Sequence, residues 1–400
     1  MNRPREILVR GPNWAGDLVM ATPGFRALRE AFDSARISLA VRPGLAPLLA
    51  GAPWFDAVVP VPSHRHGLFA VWREGRRLAE LSGDRGFDLG VCLPDSFSAA
   101  LHMRAAGVRR LVGYRTDARG WLLDVAVDPP RSPWVARERH VLGLVEAAGA
   151  PPRGTHLELF VTEAERTRTE SLLAERGVPA GAPLVALAPG ASYGPSKVWP
   201  AAHFARVGDR LAQAGAHVVL VGAPDEAPLA RAVAERMRTP AVVDLVGSLD
   251  LGGLKALVRR ARVLVCNDAG ARHVAVAFGV PCVVVMGPTS LAKTSLNLER
   301  VRVFTADVGC RPCYLRRCPI DHRCMTRVDA ERVVVAALPA LDEAGRRAWR
   351  GDGGLRPLPG GARAGLAGQT GDAPGPRASE GALPVASRDE APDPSRGRES

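Results

Sequence analysis

Residues 264–290, LVCNDAGARHVAVAFGVPCVVVMGPTS, concentrate groups suited to chemistry. One apolar run ends in Asn267-Asp268-Ala269-Gly270, and a helix-like stretch follows with His273 one turn in. A second apolar run ends in Gly287-Pro288-Thr289-Ser290. That order predicts strand, tight turn, helix, strand, tight turn. Both turns then fall at C-terminal strand ends, where open parallel sheets bind ligands. Glycine lets backbone approach a ligand closely, and a helix N-terminus offers N–H groups to phosphate. The segment reads as a site for a nucleotide diphosphate. It lacks both G-x-G-x-x-G and G-x-x-x-x-G-K-[ST], so neither a dinucleotide fold fingerprint nor a P-loop is indicated.

Three further loops carry polar groups at comparable places. The first is Gly11-Pro12-Asn13-Trp14-Ala15-Gly16-Asp17-Leu18, between an apolar strand and a helix pattern. A carboxylate there, Asp17, can take a proton from a substrate hydroxyl. It can equally cap the helix, since Asp is favoured at that position. The second is Pro189-Gly190-Ala191-Ser192-Tyr193-Gly194-Pro195-Ser196-Lys197-Val198-Trp199-Pro200. Small and hydroxyl residues, Ser192 and Ser196 among them, lead to one lysine, a compact charge suited to a diphosphate or simply a solvated one. Trp199-Pro200 is expected to start the next helix. The third loop is Gly222-Ala223-Pro224-Asp225-Glu226. Glu226 suits a ribose hydroxyl, or a helix start for dipole reasons alone. His273 reads as a ligand contact or a buried structural histidine.

Four of the seven cysteines, Cys310, Cys313, Cys318 and Cys324, fall within residues 310–324, with His322 nearby. They can supply a tetrahedral set for a structural zinc or iron, or remain reduced thiols. Their spacing is not that of a standard zinc ribbon.

The elements that position these loops follow from periodicity. Strands are expected at 6–10, 37–41, 57–61 and 89–93, and again at 184–188, 217–221, 242–245, 263–266 and 283–286, with helical patterns between. Such βα alternation predicts two mostly parallel sheets, hence two Rossmann-like domains facing a central cleft. The expected division is 1–170, 171–345 and a tail, 346–400. Residues 351–400 hold 11 Gly and 7 Pro with few large apolar side chains, too few to bury a core, so that tail is expected to be disordered. An apolar content of 46% suits a globular chain. No apolar stretch is long enough to span a bilayer, and the N-terminus lacks a signal-peptide pattern. A cytoplasmic location is expected. The net charge of +12 points to an anionic partner, but no nucleic-acid-binding motif accompanies it, so nucleic acid is not expected.

GPNWAGDLVM (11–20), LPDSFSAA (93–100), VGYR (112–115), PGASYGPSKVWP (189–200) and NDAGARHVAVAFGVPCVVVMGPTS (267–290) together resemble the ADP-heptose:lipopolysaccharide heptosyltransferases, most closely their second type. The resemblance implies a GT-B fold and an inverting, metal-independent glycosyltransferase. It implies an ADP-heptose donor bound by the C-terminal half and a lipid A–Kdo–heptose acceptor bound by the N-terminal half. The location so implied is the inner face of the cytoplasmic membrane, with other core-assembly enzymes as partners. By position, Asp17 matches the general base and Lys197 the diphosphate contact. Asn13, Trp14, Gly16, Ser192, Ser196, Glu226, Asp268, Ala269, Gly270, His273 and Thr289 match substrate-binding positions. The cysteine cluster is not universal in the family, so its role does not carry over. Arg65, Arg73, Arg76, Arg77, Arg104, Arg109, Arg110 and Arg115 suit an anionic acceptor, and residues 64–77 mix Phe69 and Trp72 with base as a membrane-surface helix does. The rival readings are another GT-B enzyme, a sugar-nucleotide 2-epimerase among them, and a non-catalytic sugar-nucleotide-binding protein.

Overall fold

A computed structural model describes residues 3–62, 67–239 and 242–351. The proposed tail beyond 351 and Arg65 lie outside the described residues. The first half runs β1 (Glu6–Arg10), α1 (Ala15–Met20), α2 (Thr22–Ala31), β2 (Arg36–Val41), β3 (Ala57–Pro60), α3 (Gly67–Ala79), β4 (Phe87–Cys92), α4 (Phe97–Ala105), β5 (Val108–Tyr114), β6 (Val125–Val127) and α5 (Arg137–Ala147). The second runs α6 (Glu163–Glu175), β7 (Leu184–Ala188), α7 (Ala201–Gln213), β8 (His217–Leu220), α8 (Ala227–Ala234), β9 (Val242–Asp244), α9 (Leu251–Arg260), β10 (Val263–Asn267), α10 (Gly270–Ala277), β11 (Cys282–Val285) and β12 (Val301–Phe304). Helices α11 (Arg323–Thr326), α12 (Ala330–Ala337) and α13 (Glu343–Ala348) close the described chain.

Each half holds one six-stranded parallel sheet. The orders are β3-β2-β1-β4-β5-β6 and β12-β11-β10-β7-β8-β9. These are the same doubly wound order, in which direction reverses between the first and fourth strands of each half. The central strands β1, β7, β10 and β11 are buried along their whole length. Continuous runs such as Leu184–Ala188 therefore read as apolar without alternation, because helices cover both sheet faces. Helix starts are set by side-chain oxygens: Ser96 caps α4, Asp250 caps α9, and Thr162 forms a capping box with Glu165 on α6.

The expected alternation holds in both halves, with ends shifted by a residue or two. Pro200 proves to be the N-cap of α7 and does not lie in its first turn. Three edge or near-edge strands were not foreseen: β5, β6 and β12. The chain continues in helical form past 345, and Trp349 is buried, with its indole N–H donating to the Arg300 carbonyl.

Two of the contacts between the halves bear on how the site is held. At the cleft, the start of α1 touches the start of α10: a β-carbon placed on Gly270 would lie 3.4 Å from the Gly16 nitrogen. Behind it, α9 packs on the 3-10 segment Pro43–Leu49 of the first half. There the fully buried Lys255 donates to the Ala50 carbonyl at 2.8 Å and stands 3.2 Å from Glu165. Burial pulls its pKa down against the attraction of that carboxylate.

Candidate active site

Each sheet offers its ligand crevice where strand order reverses, beyond the carboxyl ends of the strands. In the first sheet these ends are β1 and β4, which lead into the Gly11–Trp14 loop and the Leu93–Ser96 loop. In the second they are β7 and β10, which lead into the 189–200 loop and Asp268-Ala269. The two crevices face one another across a cavity of about 320 Å³. Its lining includes Trp14, Gly16 and Asp17 from one half, with Ser192, Lys197, Asp268, Ala269, Gly270 and His273 from the other.

Asp17 is the third residue of α1, and Trp14 occupies the N-cap position without any side-chain cap bond. The carboxylate is therefore not the cap. It is about three-quarters buried, borders the cavity, and has Arg137 Nε at 3.6 Å from Oδ1. Asn13 is turned back: its Oδ1 accepts from Arg10 Nη2 at 2.9 Å, which shapes the loop. Trp14 is half exposed at the rim.

Across the cavity, Asp268 sits in a ring of donors. Lys197 Nζ is 2.8 Å from Oδ2, Thr289 Oγ1 donates to the same oxygen at 2.8 Å, and Arg272 Nη1 reaches Oδ1 at 3.2 Å. Burial alone would favour the neutral acid. Lys197 and Arg272 outweigh it and hold the carboxyl far below its ordinary range. Lys197 also donates to the Asp268 carbonyl and lies over the Tyr193 ring at 4.9 Å. Arg272 is buried and tied to Thr294 through both Nη atoms. Asp268 is thus the anchor of the lysine, and Lys197 and Gly270 are the groups offered to a ligand. Helix α10 begins at Gly270 on the cavity wall, where a helix end carries partial positive charge.

His273 lies one turn into α10 and is 7% exposed. Burial first, then the nearby Arg272, pushes its pKa down to about 3. The ring is therefore neutral at physiological pH and offers an N–H or a lone pair, not a charge. A β-carbon on Gly16 would come within 3.1 Å of its Cδ2, so the glycine allows the two halves to close on the imidazole.

Several expected contacts are placed elsewhere. Ser196 is buried and its hydroxyl donates to the Leu315 carbonyl, so it fastens the cysteine loop and does not line the cavity. Thr289 positions Asp268. Glu226 is packed against Gly190 and Gly222, accepts from the Ala223 N–H at 2.9 Å, and does not line the 320 Å³ cavity. Burial raises its pKa despite that bond. In the Gly287–Ser290 turn, the Ser290 N–H goes to the Tyr314 hydroxyl at 3.2 Å. Among the N-terminal arginines, Arg104 pairs with Asp124, Arg109 with Asp88 and Arg115 with Asp128, so their charge is engaged within that half. Arg110 borders a different cavity, beside Arg3 and Arg5. Arg137 and Arg272 were not foreseen. The only signal for Arg272 was its i,i+4 spacing from Asp268.

Cys310 and Cys313 are exposed, Cys318 is half-buried and Cys324 is buried. Burial pushes the Cys324 thiol up, and Cys310, Cys318 and Cys313 push it further. Among the described residues, no group of three or more His, Cys, Asp or Glu side chains is arranged to hold a metal ion. His322 Nε2 instead pairs with the Ser196 carbonyl at 2.6 Å, tying this loop to the Lys197 loop.

The buried imidazole has a measurable consequence. An unfolded histidine titrates near 6.5, whereas His273 stays neutral to about pH 3. The unfolded chain binds the extra proton, so stability is fully present above pH 6.5 and falls as pH drops toward 3. Urea unfolding at pH 7, 5.5 and 4 should show the wild type losing on the order of 2–3 kcal/mol more than His273→Gln. Equal pH slopes for the two proteins would show that the ring is not held neutral. Asp268 does not confuse the comparison, because its stabilisation is lost only below the unfolded carboxylate pKa.

Comparison with known proteins accords with this geometry. Residues 75–323 match the model of glycosyltransferase family 9 (heptosyltransferase). The chain is 30% identical over 317 residues to lipopolysaccharide heptosyltransferase 2 of Escherichia coli K12, covering 76% of this chain and 89% of that protein. It is 28% identical to lipooligosaccharide heptosyltransferase 2 of Haemophilus ducreyi, over 76% of this chain and 90% of the relative. The solved E. coli ADP-heptose lipopolysaccharide heptosyltransferase II superposes with a TM-score of 0.72 at 25% identity, covering 84% of this chain and 98% of that one. A family 9 transferase from Veillonella parvula shares the fold, with a TM-score of 0.73 at 20% identity over 84% and 97% of the two chains. Two doubly wound sheets facing a cleft are the GT-B architecture, and this chain belongs to glycosyltransferase family 9, the heptosyltransferases.

Proposed function

We propose that the protein transfers heptose from ADP-heptose to the inner core of lipopolysaccharide, adding the second heptose to the first. The observation that carries this reading is the facing of Asp17 and Lys197 across one cavity. The donor lies on the second half, its diphosphate beside Lys197 and the start of α10. The acceptor hydroxyl comes from the first half, beside Asp17. Its oxygen attacks C1 of the heptose from the face opposite ADP, so the anomeric centre inverts. Asp17 takes the hydroxyl proton as the bond forms. Negative charge builds on the departing diphosphate, where Lys197 and the helix end stabilise it. That positive character does the work a divalent ion does in other transferases, and no D-x-D pair lies in the cleft loops. Neutral His273 completes the wall with a hydrogen-bonding group for donor sugar or phosphate.

Incubation with ADP-heptose and a panel of truncated core acceptors, read by mass spectrometry, tests the reading. Heptose should appear only on acceptors that end in the first heptose. Asp17→Asn keeps the shape of the side chain and removes the base. It should lower kcat by roughly 10²–10⁴-fold while leaving ADP affinity within about twofold. Near-wild-type turnover of this variant would remove Asp17 from the chemistry.

We further place the enzyme at the inner face of the cytoplasmic membrane. No helix among the described residues is long and apolar enough to cross a membrane. On α3, Phe69 and Trp72 are exposed and stacked at 6.2 Å, and Arg76 lies over the Trp72 ring. Aromatic side chains flanked by Arg73, Arg76 and Arg77 suit an anionic interface. Flotation with vesicles containing phosphatidylglycerol should recover the wild type and lose most of a Phe69→Ser, Trp72→Ser variant. Equal recovery would sink this placement.

A structural zinc or iron on Cys310, Cys313, Cys318 and Cys324 requires the exposed pair to close on Cys324. One equivalent of either metal in protein purified without chelator supports such a site. Metal-free protein with freely titrating thiols overturns it.

A further inference from the structure

A second, smaller cavity opens beside Asp17. It measures about 130 Å³ and is lined by Arg137, His140 and Lys293, with Ser132, Pro129 and Pro133 among its walls. Arg137 and His140 stand one turn apart on α5, while Lys293 comes from the 3-10 segment Leu291–Thr294 of the other half. The cavity therefore spans the cleft, and Arg137 Nε, 3.6 Å from Asp17, joins it to the main site.

His140 on its wall, and Asp95 and Arg119 outside its lining, are incompletely satisfied. Asp95 Oδ1, His140 Nε2 and Arg119 Nη2 are each buried without a hydrogen bond. Asp95 Oδ1 is 3.6 Å from His140 Nε2 and 3.8 Å from Arg119 Nη2, which are charge contacts too long to count as hydrogen bonds. Burial works against the charge on Asp95, but His140, Arg137 and Arg119 prevail and keep its carboxyl below the ordinary range. Among the described residues, Lys293 has no ion pair. Its ammonium faces the Tyr314 ring at 5.7 Å. The charged groups on the lining are Arg137, which faces Asp17, and Lys293, which has no ion pair among the described residues, with His140 as a further donor. Positive charge is left over in a pocket with proline walls, and a pocket so arranged favours an oxyanion.

We propose that this cavity is the anion pocket for the acceptor. It takes a phosphate monoester or carboxylate carried on the acceptor sugars, held by Arg137, His140 and Lys293. Holding that group binds the acceptor with its hydroxyl beside Asp17, so its loss is read in KM. The inference rests on the heptosyl-transfer reading for the identity of the acceptor. The pocket itself rests only on the geometry.

The test uses the full chain with ADP present and three soluble core oligosaccharides. One is native, one is treated with phosphatase, and one has its carboxylates reduced to alcohols. Wild type should prefer the native oligosaccharide in kcat/KM by at least about tenfold over one of the two neutralised forms. That form identifies the source of the oxyanion. Lys293→Gln should collapse the preference to about twofold through KM, with kcat on the native acceptor little changed. His140→Asn should do the same; since the ring also packs on Tyr114, Lys293→Gln is the decisive variant. Calorimetric binding of the same oligosaccharides is measured in parallel. Transfer without any preference for the charged acceptor, or a preference that survives Lys293→Gln, overturns the pocket and leaves the transferase reading intact. No transfer to any acceptor, with binding of the charged oligosaccharide that is lost in Lys293→Gln, does the reverse.

Discussion

The buried charge of Asp268 organises the active cleft. A carboxylate removed from water survives in ionised form only if cations and hydrogen-bond donors replace its hydration. Here Lys197, Arg272 and Thr289 do so together. Each donor comes from a different segment: the loop after β7, helix α10, and the turn after β11. Meeting the electrostatic demand of one side chain therefore brings three loops to a common point. The lysine that results is not a flexible surface cation. It is fixed against the start of α10, so two sources of positive character converge on one wall of the cleft. Such preorganisation costs little at the moment of reaction, because the dipoles are already aimed.

The opposite wall is organised differently. Asp17 gains its place from backbone: β1 ends, the chain turns over Gly11 to Trp14, and α1 starts beside α10. Gly16 makes the approach feasible, since any side chain there would press on His273. Asp17, Lys197 and Gly270 are thus brought to one cavity by a close crossing of two helix starts. A neutral imidazole lies at the crossing, so His273 adds no fixed positive charge beside Lys197.

Much of this was legible in the residues. Apolar runs such as Leu184–Ala188 and Val263–Cys266 announced buried parallel strands, and the loops that follow them carried Asp17, Lys197 and Gly270 to the cleft. β5 and β12 were harder because arginines interrupt them, in VRRLVGY and VRVF, and the apolar pattern is broken. Ser196, Thr289 and Glu226 sat in the right loops, but a loop's position does not determine which way each side chain turns. Ser196 and Thr289 found partners inside the protein, and Glu226 folded onto two glycines. Arg137 and His140 left no local signal at all. Their relation to Asp17 arises only when α5 is packed beside α1, a contact made over more than a hundred residues of chain.

Lys255 links the two sheets from behind. Its ammonium belongs to the second half, yet the carbonyls it satisfies, at Leu48 and Ala50, belong to the first. Its counter-charge, Glu165, lies in its own half, but its hydrogen bonds are complete only with the first half in place. The halves look like interchangeable modules, built to one strand order, and such modules invite shuffling between relatives to change donor or acceptor. A chimera that crossed over in the linker would keep both sheets and still bury an ammonium with mismatched acceptors. Recombination in this chain is therefore constrained at a seam far from the cleft, and a productive crossover would have to carry residues 43–51 together with α6 and α9.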